Sequence, residues 1–394
     1  MCYNKCTIIN LIFIYYNMNE FIKKIMETEY YNNYTLDINA FNSLKQLRNE
    51  IKQNYNNIQE RNITIKNFSE RVLIQKGQQY FHDTIVDDIN LNQNGGLSIT
   101  YSMSPYLFKF TIFKLKNNPI TNKKILKYIK IMISWLITCK NYETDNCVKE
   151  LDVTIYLSGI KKNLPIEKEV IGSKHVNTAY TYRCIKHSSS ITLYREEDLL
   201  KVFFHETFHT FNFDFKNTCK EKLKNDFPIN SELNLFESYC ETWARIINHL
   251  YFSILLDIND NDDDMKFFVA SFAIESLFSF SQGNKVLKFM NLTIDDLTKP
   301  ETIRENFKEN SNVFSYFVIT SILMMNVSEY ISFCSTKNIN ILKFKEESVN
   351  EYIILIKKLI VKMQNAQDKN QILKLTTQKT NTAKMVLLNV ENVL

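Results

Sequence analysis

The chain has 394 residues, of which 45% are hydrophobic and 23% are charged. This is a globular composition, and the length allows one large domain or two to three smaller ones. The formal net charge of +5 is small for this length, and lysines alternate with acids along the chain. We expect no nucleic-acid partner, because such binding needs a concentrated basic face.

The N-terminal stretch "TIINLIFIYY" (Thr7 to Tyr16) is apolar but too short to span a bilayer. It is similar to the apolar part of a secretory signal, but it lacks a small-x-small cleavage site. We therefore predict an N-terminal extension over residues 1–30 that is disordered or stems from a start codon placed too early. Secretion remains an alternative, and stable membrane insertion is not expected.

Eight cysteines are scattered along the chain, and none of them forms a Cys-x-x-Cys pair. Neither a zinc ribbon nor a redox pair is therefore indicated. Free thiols in a reducing compartment are the expected state.

Helices dominate the predicted elements, with a few strands before the middle of the chain. Residues 31–80 show helical spacing, "GGLSITYSMSPYLFKFTIFKL" predicts one or two strands, and "NKKILKYIKIMISWLITCKNY" predicts a helix. The strands "LDVTIYLSGI" and "SSITLYR" follow, the second running directly into a helix, "EEDLLKVFFHETFHTF". The runs "ELNLFESYCETWARIINHLYFSILL", "FFVASFAIESLFSFSQ", "NVFSYFVITSILMMNVSEYISF" and "VNEYIILIKKLIVKM" are helical.

This order predicts an α+β fold. We divide the chain into an N-terminal helical and strand region over residues 31–140, a core over 141–256, a helical C-terminal subdomain over 257–365 and a polar tail over 366–394. The tail is rich in Gln, Thr, Asn and Lys, and its composition predicts partial disorder.

The motif His205-Glu-x-x-His209 lies on the helix that follows "SSITLYR". Residues four apart share one helix face, so both imidazoles can reach one metal ion, while Glu206 is displaced by about 100°. That position suits a general base acting on a water activated by zinc. The flanking residues from Val202 to Phe211 include no further charge, as a buried active-site helix requires. A core helix whose histidines are satisfied by hydrogen bonds is the alternative.

A catalytic zinc site needs a third protein ligand. Asn212 and Phe215 exclude the metzincin continuation of the motif, and Asp214 is one residue out of phase on a continued helix. On the next predicted helix, Glu237 and Glu241 are four residues apart on one face.

We predict Glu237 as the ligand and Glu241 as the acid that accepts a histidine N–H. The reverse assignment stays open. Cys240 and Ala244 are small and also four apart, so this helix can approach the motif helix closely.

This arrangement resembles the gluzincin metallopeptidases. The resemblance implies zinc bound by His205, His209 and Glu237, with Glu206 as general base and Glu241 as the supporting acid. The implied fold is zincin-like, with a small mixed sheet, the motif helix and a mainly helical C-terminal subdomain. Gluzincins more often carry Asp or Asn at the position of Glu241.

The same resemblance implies an oxyanion donor, a Tyr or His from the C-terminal part, for which Tyr316 and His249 are candidates. His175 is a weaker candidate for the cleft. The strand before the motif helix, "SSITLYR", is expected to edge the cleft and pair with a peptide or protein substrate. A zinc-bearing structural or interaction protein without turnover is the alternative function.

The segments "KNLPIEKEVIGSKHVNTAYTYRC", "SITLYREEDLLKVFFHETFHTFNFDF" and "ESYCETWARIIN" resemble a family of uncharacterised proteins of nucleocytoplasmic large DNA viruses. The resemblance runs from about Trp135 to the C-terminal helices. It implies a viral gene product located in the cytoplasm of the infected cell or in the virion, and it implies no substrate.

Overall fold

A six-stranded mixed sheet lies in the N-terminal half of the chain. In the computed structural model, the described residues are 20–77, 80–166, 169–186, 189–216, 226–258, 262–367, 369–375 and 381–394. The strands are β1 (Ile63–Phe68), β2 (Gln93–Met103), β3 (Tyr106–Leu115), β4 (Glu150–Ser158), β5 (Ala179–Thr181) and β6 (Ser189–Arg195). Their spatial order is β1-β2-β3-β4-β6-β5. The pairs β3–β4 and β4–β6 are parallel, and the other neighbours are antiparallel.

Helices make up most of the remaining described chain. They are α1 (Glu20–Met26), α2 (Glu29–Asn33), α3 (Ile38–Asn56), α4 (Asp83–Asn92), α5 (Asn122–Tyr142), α6 (Ser173–Val176), α7 (Leu199–Thr210), α8 (Leu235–Leu255), α9 (Asp262–Phe289), α10 (Pro300–Asn306), α11 (Thr320–Met325), α12 (Val327–Lys337), α13 (Val349–Gln364) and α14 (Lys369–Leu375). A π-helical turn, Phe314–Ile319, leads into α11. The predicted α+β class is confirmed, with helices in the majority.

The helical prediction for residues 31–80 is wrong in its second half. Residues Ile63–Phe68 form β1, which pairs antiparallel with β2 from Ile63↔Tyr101 to Phe68↔Gly96. β1 is an edge strand whose side chains are mostly exposed, so the alternation of apolar and polar residues in "ITIKNF" is weak. Tertiary pairing with β2 therefore decides its conformation.

One large hydrophobic cluster joins residues from every predicted region, from Phe21 in α1 to Val390 near the C-terminus. Helices α7 and α8 lie within it, and Trp135 of α5 donates from Nε1 to Thr207 Oγ1 at 2.8 Å. A smaller cluster, which includes Phe81 of the segment before α4 and Tyr194 of β6, covers the other face of the sheet. The regions into which we divided the chain therefore share one main hydrophobic core.

The region predicted as an N-terminal extension is ordered in part. Residues 1–19 lie outside the described residues. The side chains of Phe21, Ile22 and Ile25 in α1 are buried in the main cluster. Among the described residues no single helix is long and apolar enough to cross a membrane. Two consecutive helical segments, Phe314–Met325 and Val327–Lys337, together reach the required length and apolar composition, but their axes are bent by 96° relative to each other.

The C-terminal segment 381–394 differs from the partly disordered tail that its composition predicts. Met385, Val386, Leu388 and Val390 are buried in it. Its backbone is hydrogen-bonded to distant parts of the chain: Ala383 N donates to Lys162 O at 2.9 Å, and Leu388 N donates to a Glu275 carboxylate oxygen at 2.9 Å. We call residues 381–394 the C-terminal strap, because they cross the N-terminal end of α7.

Glu391 of the C-terminal strap accepts a hydrogen bond from Leu200 N at 2.7 Å, at the start of α7. Burial and the charge of nearby Asp198 raise the pKa of Glu391 to about 8, above its ordinary value of 4.5. The folded protein therefore binds this proton more tightly than the unfolded chain does. Its stabilising contribution is complete below about pH 4.5 and is lost as pH rises toward 8.

We expect Glu391→Gln to make the fall of unfolding free energy between pH 5.5 and 7.5 shallower, by up to about 1.4 kcal/mol per pH unit. The amide oxygen can still accept the Leu200 N–H bond, but it takes up no proton. Urea unfolding at four pH values measures the slope, with Glu347→Gln at an exposed site as the matched control. Equal slopes in wild type and Glu391→Gln would contradict the assignment.

Candidate metal centre

Helix α7 carries the His-Glu-x-x-His motif through the main core. Every residue from Leu199 to Thr210 except His209 is buried. The helix starts after Asp198, whose φ of 58° lies in the left-handed region and turns the chain sharply out of β6. Glu196, Glu197 and Asp198, which open the predicted helix "EEDLLKVFFHETFHTF", therefore precede the observed helix. This turn and the apolar packing fix the orientation of the motif face.

The predicted ligand atoms of His205, His209 and Glu237 lie close together beside the motif face of α7. His205 Nε2 is 3.2 Å from His209 Nε2 and 3.1 Å from Glu237 Oε2, and His209 Nε2 is 3.3 Å from Glu237 Oε2. Zinc bonds of about 2.0–2.1 Å in tetrahedral geometry would separate ligand atoms by about 3.3 Å. These three residues therefore fit a zinc ion, with one coordination position left open.

Glu241 contacts the other ring nitrogen of His205. Its Oε2 lies 3.2 Å from His205 Nδ1, and the same carboxylate accepts from Lys201 Nζ at 2.9 and 2.8 Å and from Arg245 Nε at 3.0 Å. A carboxylate in this position keeps the proton on Nδ1, so Nε2 presents its lone pair to a metal. Glu237 and Glu241 thus occupy opposite sides of the His205 ring.

Asp214 supports His209 in the same way, a role that sequence reasoning missed. Its Oδ2 lies 2.7 Å from His209 Nδ1 and also accepts from Arg183. Arg183 donates in addition from Nη1 to Phe215 O at 2.9 Å, and its guanidinium lies 5.0 Å from the centre of the Phe236 ring. Each of the two histidines therefore has a carboxylate partner that is itself paired with a cation.

The end of α7 explains why Asp214 reaches His209. Asn212 has a φ of 55° and follows the helix, while Phe213 N donates to Phe208 O at 2.8 Å and Asn212 N to His209 O at 3.0 Å. This is the Schellman arrangement, which reverses the chain after a residue in the left-handed region. Asp214 would be out of phase with His209 only on a continued helix, whereas the helix ends at Thr210. Asn212 is the sequence signal for this turn, because asparagine is one of the residues that adopt the left-handed region at helix ends.

We expect Asp214→Asn to weaken zinc binding by about 10- to 100-fold, the usual cost of losing an outer partner of a ligand. Asparagine can accept the His209 N–H bond but brings no charge, so His209 becomes a poorer ligand. The dissociation constant is measured by competition with a chromophoric chelator. Asp226→Asn, which removes an ion pair with Lys357 at another site, should change nothing.

The charges of the cluster are strongly coupled. Burial opposes protonation of both histidines, but the surrounding carboxylates raise the pKa values of His205 and His209 above the ordinary value. Burial would raise the pKa of Glu237, yet the two histidines hold it well below its usual range. Without metal the cluster is thus a set of mutually paired charges, and binding a cation would release protons.

Glu206 lies beside this cluster and is not part of the ligand set. It is 8% exposed, and no hydrogen bond joins its carboxylate to another side chain in the described part of the chain. Burial raises its pKa above the ordinary value, although His205 and His209 lower it in part. A carboxylate whose pKa is raised and which has no fixed partner is suited to accept a proton.

Tyr316 is the oxyanion candidate that the structure brings to the site. It lies on the π-helical turn, a conformation frequent at functional sites, with its ring centre 5.7 Å from that of His205. His249 is excluded, because it is buried against Phe268 and Phe272, with Ser271 Oγ 3.3 Å from its Nε2. His175 accepts from Gly172 N at 3.0 Å and caps α6.

A cleft of about 400 Å³ opens beside Glu206 and the three ligand residues. Residues Ala179 to Thr181 of β5 line the cleft, and Asn310, Ser311 and Tyr316 line it as well. The expectation that "SSITLYR" edges the cleft is wrong. That segment is β6, which lies between β4 and β5, and the strand at this edge of the sheet is the three-residue β5. So short a strand has no periodicity from which it could be predicted.

The expectation of free thiols is wrong for one pair: Cys147, just before β4, forms a disulfide with Cys184 in the β5–β6 turn. Among the described residues Cys139, Cys240 and Cys334 are free and buried. The two partners are 37 residues apart in sequence, and the pairing of β4 with β6 brings their ends together. Cys240 lies in α8 with its Sγ 3.7 Å from His209 Nδ1.

Comparison with known proteins finds a distant relative of this chain. The "Uncharacterized protein R210" of Acanthamoeba polyphaga mimivirus is 24% identical to this chain over 189 residues, which cover 46% of this chain and 49% of that protein. The chain thus spans about half the length of the curated relative it matches. No protein-family model matches the chain, and no solved structure matches it. The match supports a relationship to proteins of large DNA viruses.

Proposed function

We propose that the protein is a zinc-dependent metallopeptidase in which His205, His209 and Glu237 hold the metal and Glu206 is the general base. The observation that carries the proposal is the set of three ligand atoms separated by 3.1–3.3 Å. Two buried carboxylates support the histidines from behind. Such complete outer support is typical of zinc sites and has no evident purpose for histidines that only fill a core.

The surrounding architecture favours a zincin-like, gluzincin-type enzyme. A mixed sheet precedes the motif helix α7, the third ligand comes from the next described helix α8, and helices follow. The cleft beside the ligands is large enough for a peptide segment, and β5 offers it the free edge of a sheet. An open cleft favours catalysis over a purely structural zinc site, which would have a closed ligand shell.

Each residue then has a distinct task. Zinc, when bound, supplies Lewis-acid chemistry that lowers the pKa of water and polarises a carbonyl group. Glu206 takes a proton from the attacking water and delivers it to the leaving amine. The Tyr316 hydroxyl, whose pKa is raised by burial and by nearby carboxylates, stays protonated and can donate to the developing oxyanion. The β5 edge aligns the substrate backbone.

Metal analysis and a peptide assay test the proposal together. Purified protein should contain close to one zinc per chain, should lose its hydrolysis of a peptide library when treated with a chelator, and should recover it when zinc is added. His205→Ala should contain no zinc. Wild-type protein that binds zinc but cleaves no peptide would indicate an interaction protein, and wild-type protein that binds no zinc would refute both functions.

A further inference from the structure

A second, much smaller cavity adjoins the cleft. Its volume is about 40 Å³, compared with about 400 Å³ for the cleft. The two share five lining residues, Asn177, Ala179, His205, Glu206 and Tyr316. A substrate backbone held in the cleft beside Glu206 can therefore place one side chain in the small cavity.

The C-terminal strap supplies one wall of this small cavity through Met385. Met385 is 4% exposed and is held at two points. Its backbone N donates to Asp198 Oδ2 at 2.9 Å, and its Sδ lies 2.9 Å from Lys201 Nζ. The side chain therefore bounds the cavity from a fixed position.

The lining determines which side chains fit. Val176, Val202 and Met385 are apolar, and Thr178 Oγ1 is buried without a hydrogen-bond partner among the described residues. Lys201, Glu206 and Glu241 also line the cavity. Glu241 pairs with the Lys201 ammonium group, and the Glu206 carboxylate repels an acidic side chain, while lysine and arginine side chains exceed the volume. A single water needs about 10–15 Å³ of such volume, so the cavity has room for about three water-sized groups.

We propose that Met385 is a specificity-determining residue that restricts the substrate residue next to the cleaved bond to a small uncharged side chain, alanine or serine. The inference rests on the proposed peptidase function. A serine hydroxyl would find a partner in Thr178, whereas a leucine would overpack the cavity. A single methylene too many in a hydrophobic pocket reduces kcat/KM by about 10- to 200-fold.

Cleavage sites in a peptide library, identified by mass spectrometry with zinc-loaded protein, provide the test. Wild type should prefer alanine or serine over leucine at one position flanking the cleaved bond by about 10-fold or more in kcat/KM. Met385→Ala should reduce this preference by about 10-fold, mainly through faster cleavage of the leucine peptide. Met363→Ala, a truncation at an equally buried methionine of α13, should leave the preference unchanged.

Two further measurements separate specificity from loss of structure. Met385→Leu conserves volume and should retain the alanine preference. Alanine and leucine hydroxamates, titrated calorimetrically into zinc-loaded Glu206→Gln protein, should bind with the same order of preference without any turnover. Leucine accepted as well as alanine in cleavage that depends on Glu206 would overturn this inference alone. Absence of both cleavage and hydroxamate binding would overturn it together with the proposed function.

Discussion

Glutamine in place of Glu206 should leave one zinc bound per chain and reduce kcat/KM for peptide hydrolysis by about 10²- to 10⁴-fold, the usual contribution of a general base. The change conserves shape and removes only the ability to accept a proton. Zinc should stay because Glu206 is not one of the three clustered ligand residues. Metal analysis and initial rates on the same preparation measure both quantities.

Glu351→Gln, at an exposed position of α13, is the matched control and should have wild-type rates. Hydrolysis that survives Glu206→Gln undiminished would show that another base operates or that a contaminating protease is present. Loss of zinc in Glu206→Gln would show that Glu206 is a ligand, in conflict with the geometry of α7.

Glutamine substitutions at Glu237 and Glu241 should differ in their effects. Glu237→Gln should mainly lower zinc affinity, and Glu241→Gln should mainly lower the free energy of unfolding. Glu237→Gln removes a ligand, so zinc affinity should fall by more than the roughly 100-fold limit typical of outer partners. Glu241→Gln should weaken zinc only about 10- to 100-fold. It also leaves the buried Lys201 and Arg245 without their carboxylate, and breaking such buried pairs costs about 3–5 kcal/mol.

Chelator competition measures the affinities, and urea unfolding in zinc-free buffer measures the stabilities. Zinc-free buffer matters because bound metal would itself stabilise the folded state. If Glu241→Gln lost zinc completely while Glu237→Gln kept it, the ligand assignment would be reversed. Glu329→Gln, which removes an ion pair with Lys362 on the surface, should leave both quantities at wild-type values.

Local spacing alone could predict which residue pairs are available to the candidate metal centre. His205 and His209 are one turn apart on α7, and Glu237 and Glu241 are one turn apart on α8, so each pair had to share a helix face. The small size of Cys240 also predicted that the two helices approach each other closely. Helical periodicity is a local property, and for this reason it survives in the sequence.

Other parts of the site depend on contacts that spacing does not encode. Asp214 reaches His209 only because the chain reverses at Asn212, and Met385 reaches the small cavity only because the C-terminal strap folds back over α7. The composition of the strap predicted a tail, yet Glu275 and Asp198 accept its backbone N–H groups inside the core. Strand β5 is too short to be recognised without its partner β6.

By itself the sequence determined the α+β class, the long helices and the two pairs of residues that could meet at a metal, because each follows from periodicity within one element. The tertiary structure alone decided which glutamate faces His205 Nε2, which acid supports His209, which strand edges the cleft and which residues line the small cavity. These four features depend on the relative placement of elements far apart in the chain. That placement is set by packing and by buried charge pairs, which no local pattern records.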